Sequence, residues 1–268
     1  MDSKTATRTS SNTGSVQVNL DVAGRAWVTI DRAAKHNALA RPVLAELAQC
    51  IEQLAGQQDL RLIVLSGAGD RYFAAGGDLK DLASVRDEAA TAAMMDEAGG
   101  ALDAIRLCPV PVIAYLNGDA IGGGAELALA CDMRVLASHA RIGFIQARLA
   151  ITSAWGGGPD LFRLIGTSRA MSMMAHAELV DARQALAWGL ADAVVSDGPE
   201  GADLDNFLAP MQAFPAQVLR GIKAQAIAAR HGADWAAHRR VEREHLIRTW
   251  LHDDHWTAAD KLLSKASR

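Results

Sequence analysis

One acid and two glycine turns carry the chemistry this sequence offers. Glu126 follows Gly122, Gly123 and Gly124, and its neighbours Ala125, Leu127, Ala128, Leu129 and Ala130 are all apolar. A helix starting there is apolar around its whole circumference and is predicted to be buried. A carboxylate in such surroundings holds its proton to a higher pH than an exposed one, which suits acid–base work near neutrality. The first amides of a helix have no intrahelical partner and sit at the positive end of its dipole. Glycine lets another molecule approach that backbone closely. Open N–H donors beside one acid match a reaction in which negative charge grows on a carbonyl oxygen while a proton moves nearby. A second turn, Ala75-Gly76-Gly77-Asp78, precedes the first by about fifty residues. Either turn alone is equally a tight turn or a point of close helix packing. Together they could offer two N–H donors to one oxygen. Neither has the GxGxxG spacing or a phosphate loop ending in Gly-Lys-Ser/Thr, so nucleotide binding has little support.

Other chemistries find less. Glu242 and His245, with His238, His252 and His255 nearby, could be drawn into a metal site, but the segment is dense in Arg, Glu and Asp. A solvated helix face explains it better, and no metal is expected. There is no GxSxG turn and no serine with a base beside it, so nucleophilic hydrolysis has no support. Cys50, Cys108 and Cys131 are far apart and set among apolar residues, as free thiols in a reducing cytoplasm would be.

The elements that must position Glu126 follow from hydrophobic periodicity. Val112 to Leu116 reads as a buried strand running into Asn117-Gly118, and Ala125 to Cys131 as the helix beyond the glycines. Val16–Leu20 and Ala26–Ile30 flank a turn and read as a hairpin. Arg41 to Leu54 is an amphipathic helix with Pro42 at its start, Leu62 to Leu65 a short strand, and Ala89 to Leu107 an alanine-rich helix. After the centre come strands at Met133–Ala137 and Arg141–Ile145, a glycine loop and helix, a helix at Asp181–Trp188 and a strand at Ala193–Val195. From about Ala202 the pattern is helical only, with Trp235, Trp250 and Trp256 placed for packing or subunit contact. Strands alternating with helices, then helices alone, predict an α/β core with a helical C-terminal subdomain. The expected division is a disordered tail over 1–14, a core over 15–200 and a helical region over 201–268.

A net charge of −4 and a pI near 6.1 speak against a nucleic-acid partner. No apolar run reaches the roughly 20 residues that cross a bilayer. The first residues are polar and small, unlike a signal peptide, so no membrane and a cytoplasmic location are expected.

Four segments in order, KHNAL, YFAAGGDLKDL, PVPVIAYLNGDAIGGGAELALACDMRVLA and ITSAWGGGPDLFRLIG, give the chain its resemblance to the enoyl-CoA hydratase/isomerase (crotonase) superfamily, over roughly Val16 to Lys265. The resemblance implies a spiral of strand-strand-helix units, with C-terminal helices that form a homotrimer or a dimer of trimers. It implies an acyl-CoA thioester substrate, coenzyme A as part of that substrate, and no further cofactor. Carried over by position, the amides of Ala75 and Gly123 would hold the thioester oxygen as it becomes an enolate. Lys35 and Ala38 would edge the coenzyme A groove. Gly76, Gly77, Asp78, Leu79, Gly122 and Trp155 would complete the binding surface. Glu126 matches the first of two glutamates used by hydratases of the family.

The second glutamate is missing: its place falls on Gln146. Glutamine hydrogen-bonds but neither gives nor takes a proton. Adding water across a double bond is best served by two carboxylates. One is enough to move a proton between the α and γ carbons of an enoyl thioester. One is also enough to protonate the enolate left when a malonyl-type thioester loses carbon dioxide. GGGAELALACDMR with Trp155-Gly156-Gly157, and REHLIRTW near the C-terminus, are similar to the ethylmalonyl/methylmalonyl-CoA decarboxylase branch. Single-glutamate chemistry is therefore the expectation. Hydration is the alternative, and a non-catalytic acyl-CoA- or RNA-binding relative is the rival from another class.

Overall fold

The computed structural model describes residues 9–13, 15–196, 198 and 201–266. The described chain opens with an antiparallel meander, β1 (Thr9–Thr13), β2 (Val16–Leu20) and β3 (Arg25–Ile30). Helix α1 (Arg41–Ala55) follows, with Pro42 in its first turn and Val43, Leu44, Leu47, Ile51 and Leu54 on its buried face.

Three strand-strand-helix units come next. The first is β4 (Leu62–Gly67), β5 (Tyr72–Ala74) and α2 (Glu88–Arg106). The second is β6 (Val112–Leu116), β7 (Asp119–Ile121) and α3 (Gly123–Ala130). The third is β8 (Met133–Ala137), β9 (Arg141–Gly143) and α4 (Gly157–His176), which is broken at Gly166. β10 (Val180–Asp181), α5 (Ala182–Trp188) and β11 (Ala193–Val195) close the core.

In each unit the first strand joins one sheet and the second strand joins another. The larger sheet runs β1-β2-β3-β4-β6-β8-β11, and the smaller runs β10-β9-β7-β5. From β3 to β11 the large sheet is parallel. Its central strands β4 and β6 are buried at every position, as parallel strands covered on both faces must be. This stepping between sheets is the predicted spiral.

The corners between the sheets are made by two buried asparagines. Asn117 accepts from Gly67 N–H at 2.9 Å and donates to Gly69 O at 2.7 Å. Asn37 donates to Tyr72 O at 2.7 Å and Ala68 O at 3.0 Å. Each saturates backbone groups that the corner withdraws from the ladders.

Beyond the core lie α6 (Ala202–Gln212), α7 (Ala216–Arg230), α8 (Trp235–Trp250) and α9 (Asp253–Ala266). Buried Lys223 ties α7 to Asp132 through both carboxylate oxygens, at 2.6 and 2.7 Å. α8 rests on α7 where Gly221 meets His245. Neither α8 nor α9 carries the buried stripe of a core helix, and Trp235, Leu246, Trp250, Leu262 and Leu263 are exposed on them.

Most of the predicted elements stand within a residue or two. Of the tail expected over 1–14, residues 1–8 and 14 lie outside the described residues, and Thr9–Thr13 pairs with β2 as an edge strand. Asn117-Gly118, read as the end of a strand, instead turns the chain into β7. The expected strand to Ile145 stops at Gly143, because a 3-10 turn over Gln146–Leu149 takes the chain out of the sheet. The second glycine turn leads only into a 3-10 turn at Asp81–Ser84, with α2 starting later. Among the described residues no helix is long and apolar enough to cross a membrane.

α3 approaches β5 so closely that a Cβ on Gly124 would lie 2.0 Å from Ala74 O. Gly124→Ala is expected to lower unfolding stability by about 2–3 kcal/mol, as overpacking against backbone does. Gly100→Ala in α2, with open space around it, should raise stability by about 0.5–1 kcal/mol through helix propensity. Denaturant unfolding of the two variants checks both signs.

Candidate active site

The site is built where β5 and β7 end and α3 begins. Gly122 lies in the positive-φ region (φ 57°, ψ −116°), which lets β7 turn straight into the helix. One turn later Glu126 is only 2% exposed.

Three donors hold its carboxylate. Oε2 accepts from Trp155 N–H at 2.8 Å and Gly157 N–H at 3.0 Å, and Oε1 accepts from Gln146 Nε2 at 3.0 Å. A Cβ on Gly157 would fall 2.5 Å from Glu126 Cγ, so the glycine is what admits the carboxylate to those amides. Burial pushes the Glu126 carboxyl above its ordinary value, while donation from Gly157, Trp155 and Gln146 pulls the other way. The outcome is a net rise, with desolvation the largest effect.

Glu126 opens onto a cavity of about 430 Å³. Leu79, Leu82, Met94, Ile121, Ile145 and Ile151 make much of its wall, and Gly76, Gly77, Gly122, Gly123, Gln146 and Trp155 also line it. Among its described lining residues Glu126 is the only acid. The Trp155 ring lies against both glycine turns: a Cβ on Gly123 would meet it at 2.3 Å and one on Gly77 at 3.5 Å. Glycine at Gly123 thus makes room for the indole.

The KHNAL loop is stitched to the Ala75–Asp78 turn. Leu39 N–H donates to Gly76 O at 2.8 Å, Asp78 N–H to Leu39 O at 3.2 Å, and Ala75 N–H to His36 O at 3.1 Å. This corrects one expectation. Ala75, proposed with Gly123 as an open donor, has its amide engaged by the loop. Among the described residues no hydrogen bond engages the amides of Gly77 or Gly123. The open pair is therefore Gly77 and Gly123, with the first donor two residues beyond Ala75.

Lys35 is exposed and Ala38 half-buried on the loop, outside the cavity wall. Asp78 is not on the cavity wall and pairs with Arg32 at 3.0 Å, and that guanidinium holds its carboxyl below the ordinary range. Arg148 lines the cavity and donates to Ala177 O at 2.6 Å, whereas Tyr72 stacks on His36 away from it. The three cysteines are free and buried, and burial drives the Cys131 thiol up to about 12. Among the described residues no group of three or more His, Cys, Asp or Glu side chains is gathered for a metal ion.

The support behind Trp155 escaped the sequence. Arg106 donates to Trp155 O at 3.1 Å and to Asp160 at 3.1 Å. Arg230, from α7, reaches the same Asp160 at 2.7 Å and also the carbonyls of Leu129 and Ala130 at the end of α3. One carboxylate thus joins α2, α4 and α7 around the loop that grips Glu126. These residues stand 54 and 70 positions apart in the chain, with no local motif to announce them.

The chain matches the enoyl-CoA hydratase/isomerase family profile over residues 22–244. It is 36% identical over 172 residues to the mitochondrial methylglutaconyl-CoA hydratase of Mus musculus, covering 64% of this chain and 54% of that protein. It is 28% identical over 213 residues to the ethylmalonyl-CoA decarboxylase of Gallus gallus, covering 78% and 71%. The matched stretch thus spans about half the length of the first of these relatives. The crystal structure of an enoyl-CoA hydratase from Bacillus anthracis superposes with a TM-score of 0.85 at 26% identity, over 94% of this chain and 97% of that one.

Asp160→Asn leaves Arg106 and Arg230 without their shared charge. A loss of about 3 kcal/mol in denaturant unfolding is expected, the usual cost of breaking a buried pair from one side.

Proposed function

The chain belongs to the enoyl-CoA hydratase/isomerase family, and from that premise we propose that it acts on acyl-CoA thioesters by stabilising an enolate and moving one proton through Glu126. The observation that carries this reading is a single buried carboxylate on an apolar cavity, beside two uncommitted backbone amides and opposite a glutamine. The amides of Gly77 and Gly123 are the donors for the thioester oxygen. Hydrogen bonds aimed at charge that develops only in the transition state lower the barrier, and losing one typically costs about 3 kcal/mol.

Double-bond isomerisation fits this arrangement best. Three donors favour the ionised carboxylate, so Glu126 is set to remove a proton from the carbon next to the thioester carbonyl. The electron pair moves onto the oxygen, and the dienolate forms. Return of the same proton from Glu126 to the γ carbon moves the double bond into conjugation and restores the carboxylate. Nothing else is consumed. Decarboxylation of a malonyl-type thioester is the second reading, supported by the likeness to ethylmalonyl-CoA decarboxylase. The departing carboxylate leaves its electron pair on the same enolate, and Glu126 in its protonated form then supplies the α proton. The raised pKa and apolar walls favour that step equally. Hydration lacks a second acid on the cavity wall, since Gln146 cannot activate water as a base.

Lys35 and Ala38, on the loop bonded to the Ala75–Asp78 turn, are assigned to the coenzyme A moiety. The exposed apolar side chains of α8 and α9 suit a subunit interface in a trimer or dimer of trimers.

Glu126→Gln is expected to lower turnover of a 3-enoyl-CoA or a malonyl-type thioester by at least about a hundredfold, the scale of a lost general base. Unchanged turnover would mean that the proton travels by another route. With crotonyl-CoA, loss of the enone absorbance is expected to be slow in the natural protein and to speed up in Gln146→Glu. Rapid hydration by the natural protein sinks the single-glutamate reading. In the isomerase reading ionised Glu126 is the base, so kcat/KM falls as pH drops through its pKa. Because burial raises that value above the ordinary 4.5, the fall should begin at a higher pH than an exposed carboxylate gives. A pH–rate profile of kcat/KM locates it.

A further inference from the structure

Gln146 is 9% exposed, and the two ends of its amide are in different circumstances. Nε2 donates to Glu126 Oε1 at 3.0 Å. Oε1 is sealed from solvent, and no donor reaches it among the described residues. A buried carbonyl without a donor is unfavourable, and a methionine of similar length would avoid the penalty. The second end of the amide therefore calls for a function.

Glu126 supplies one. Its Oε2 already accepts from two backbone amides, at 2.8 and 3.0 Å, which fill both lone pairs. A proton taken up by Glu126 must sit on Oε1, the oxygen that faces Gln146. A proton held on the lone pair that faces Gln146 makes Oε1 a donor there, and Nε2 cannot accept from it. A half-turn about the terminal torsion of Gln146 exchanges Nε2 for Oε1 in nearly the same volume, and that torsion is soft. One amide atom lacks a partner in either orientation, so the bond to Glu126 Oε1 alone decides between them.

We propose that the Gln146 amide turns over with the protonation of Glu126, donating through Nε2 to the carboxylate and accepting through Oε1 from the carboxylic acid. Gln146 is then a positioning residue that keeps the proton on Oε1, within a closed pair, until it returns to substrate. This rests on the reading of Glu126 as the proton carrier. Other charged groups on the elements packed against α3 are answered elsewhere. Arg106 on α2 pairs with Asp160 on α4 and with Asp103, and Arg163 also lies near Asp160. Asp119 on β7 pairs with Arg141, and Arg134 on β8 with Asp192. Tyr72 on β5 stacks on His36, and Arg148 beside Gln146 donates to Ala177 O.

Glu126→Gln provides a fixed neutral analogue. Its carbonyl takes the place of Oε2 beneath the amides of Trp155 and Gly157, and its NH₂ stands at Oε1 and needs an acceptor. The test is infrared spectroscopy of protein carrying glutamine labelled at the side-chain carbonyl carbon, in the natural and Glu126→Gln backgrounds. Each spectrum is taken as the difference from the matching Gln146→Met protein, or from Gln146→Leu should the methionine variant not fold. The expected result is a Gln146 carbonyl band that moves to lower frequency in Glu126→Gln, as a carbonyl without a donor gains one. A band at the same frequency in both backgrounds overturns the proposal. The spectra need no turnover, so they stay separate from the reaction assignment, which fails instead if Glu126→Gln keeps full activity.

Discussion

Everything near the cavity answers to one constraint: a carboxylate has to be kept charged, or nearly so, where there is no water to solvate it. The amides of Trp155 and Gly157 replace that water at one oxygen and Gln146 at the other. Burial and donation oppose each other, and their balance leaves a group that can both take and return a proton. The other features of the site read as conditions for this balance. α3 is apolar on every side because any polar neighbour would change it. Gly157 has no side chain because one would push the carboxylate off its donors.

The two sheets place this carboxylate beside the open amides. Because each unit steps from the large sheet to the small one, β5 and β7 end side by side. The glycine turns that follow them therefore meet across the Trp155 ring. The KHNAL loop fixes the first of these turns from outside, engaging the amide of Ala75 and the carbonyl of Gly76 and leaving the amide of Gly77, on the cavity wall, unengaged. An exposed loop thus sets which backbone groups remain available for chemistry.

Much of this was legible from residue types. A carboxylate amid Ala and Leu at the start of a helix, after three glycines, has few explanations, and the periodicity of α1 or β4 leaves little choice of element. Gln146 was legible as a departure because the surrounding segment was otherwise similar. Illegible were facts that depend on register or distance. Which amide of Ala75-Gly76-Gly77 stays open is set by a hydrogen-bond pattern with residues 36–39, and no local propensity encodes it. β7 is three residues long and is held by pairing with β5 and β9, so its own sequence carries no strand signal. Asp160 looks like an ordinary helix-start acid until Arg106 and Arg230 are brought to it from other helices.

That last triad also bears on the order in which the protein is made. Arg230 closes contacts to Asp160 and to the carbonyls of Leu129 and Ala130 across 70 to 101 positions of chain. Contacts over such separations wait for loop closure and come late in folding. During synthesis the core can collapse well before α7 has emerged, but the loop gripping Glu126 lacks its backing until then. A chain cut short before α7 lacks the Arg230 contacts behind that loop, so the full backing of the acid arrives only once this helix has been made.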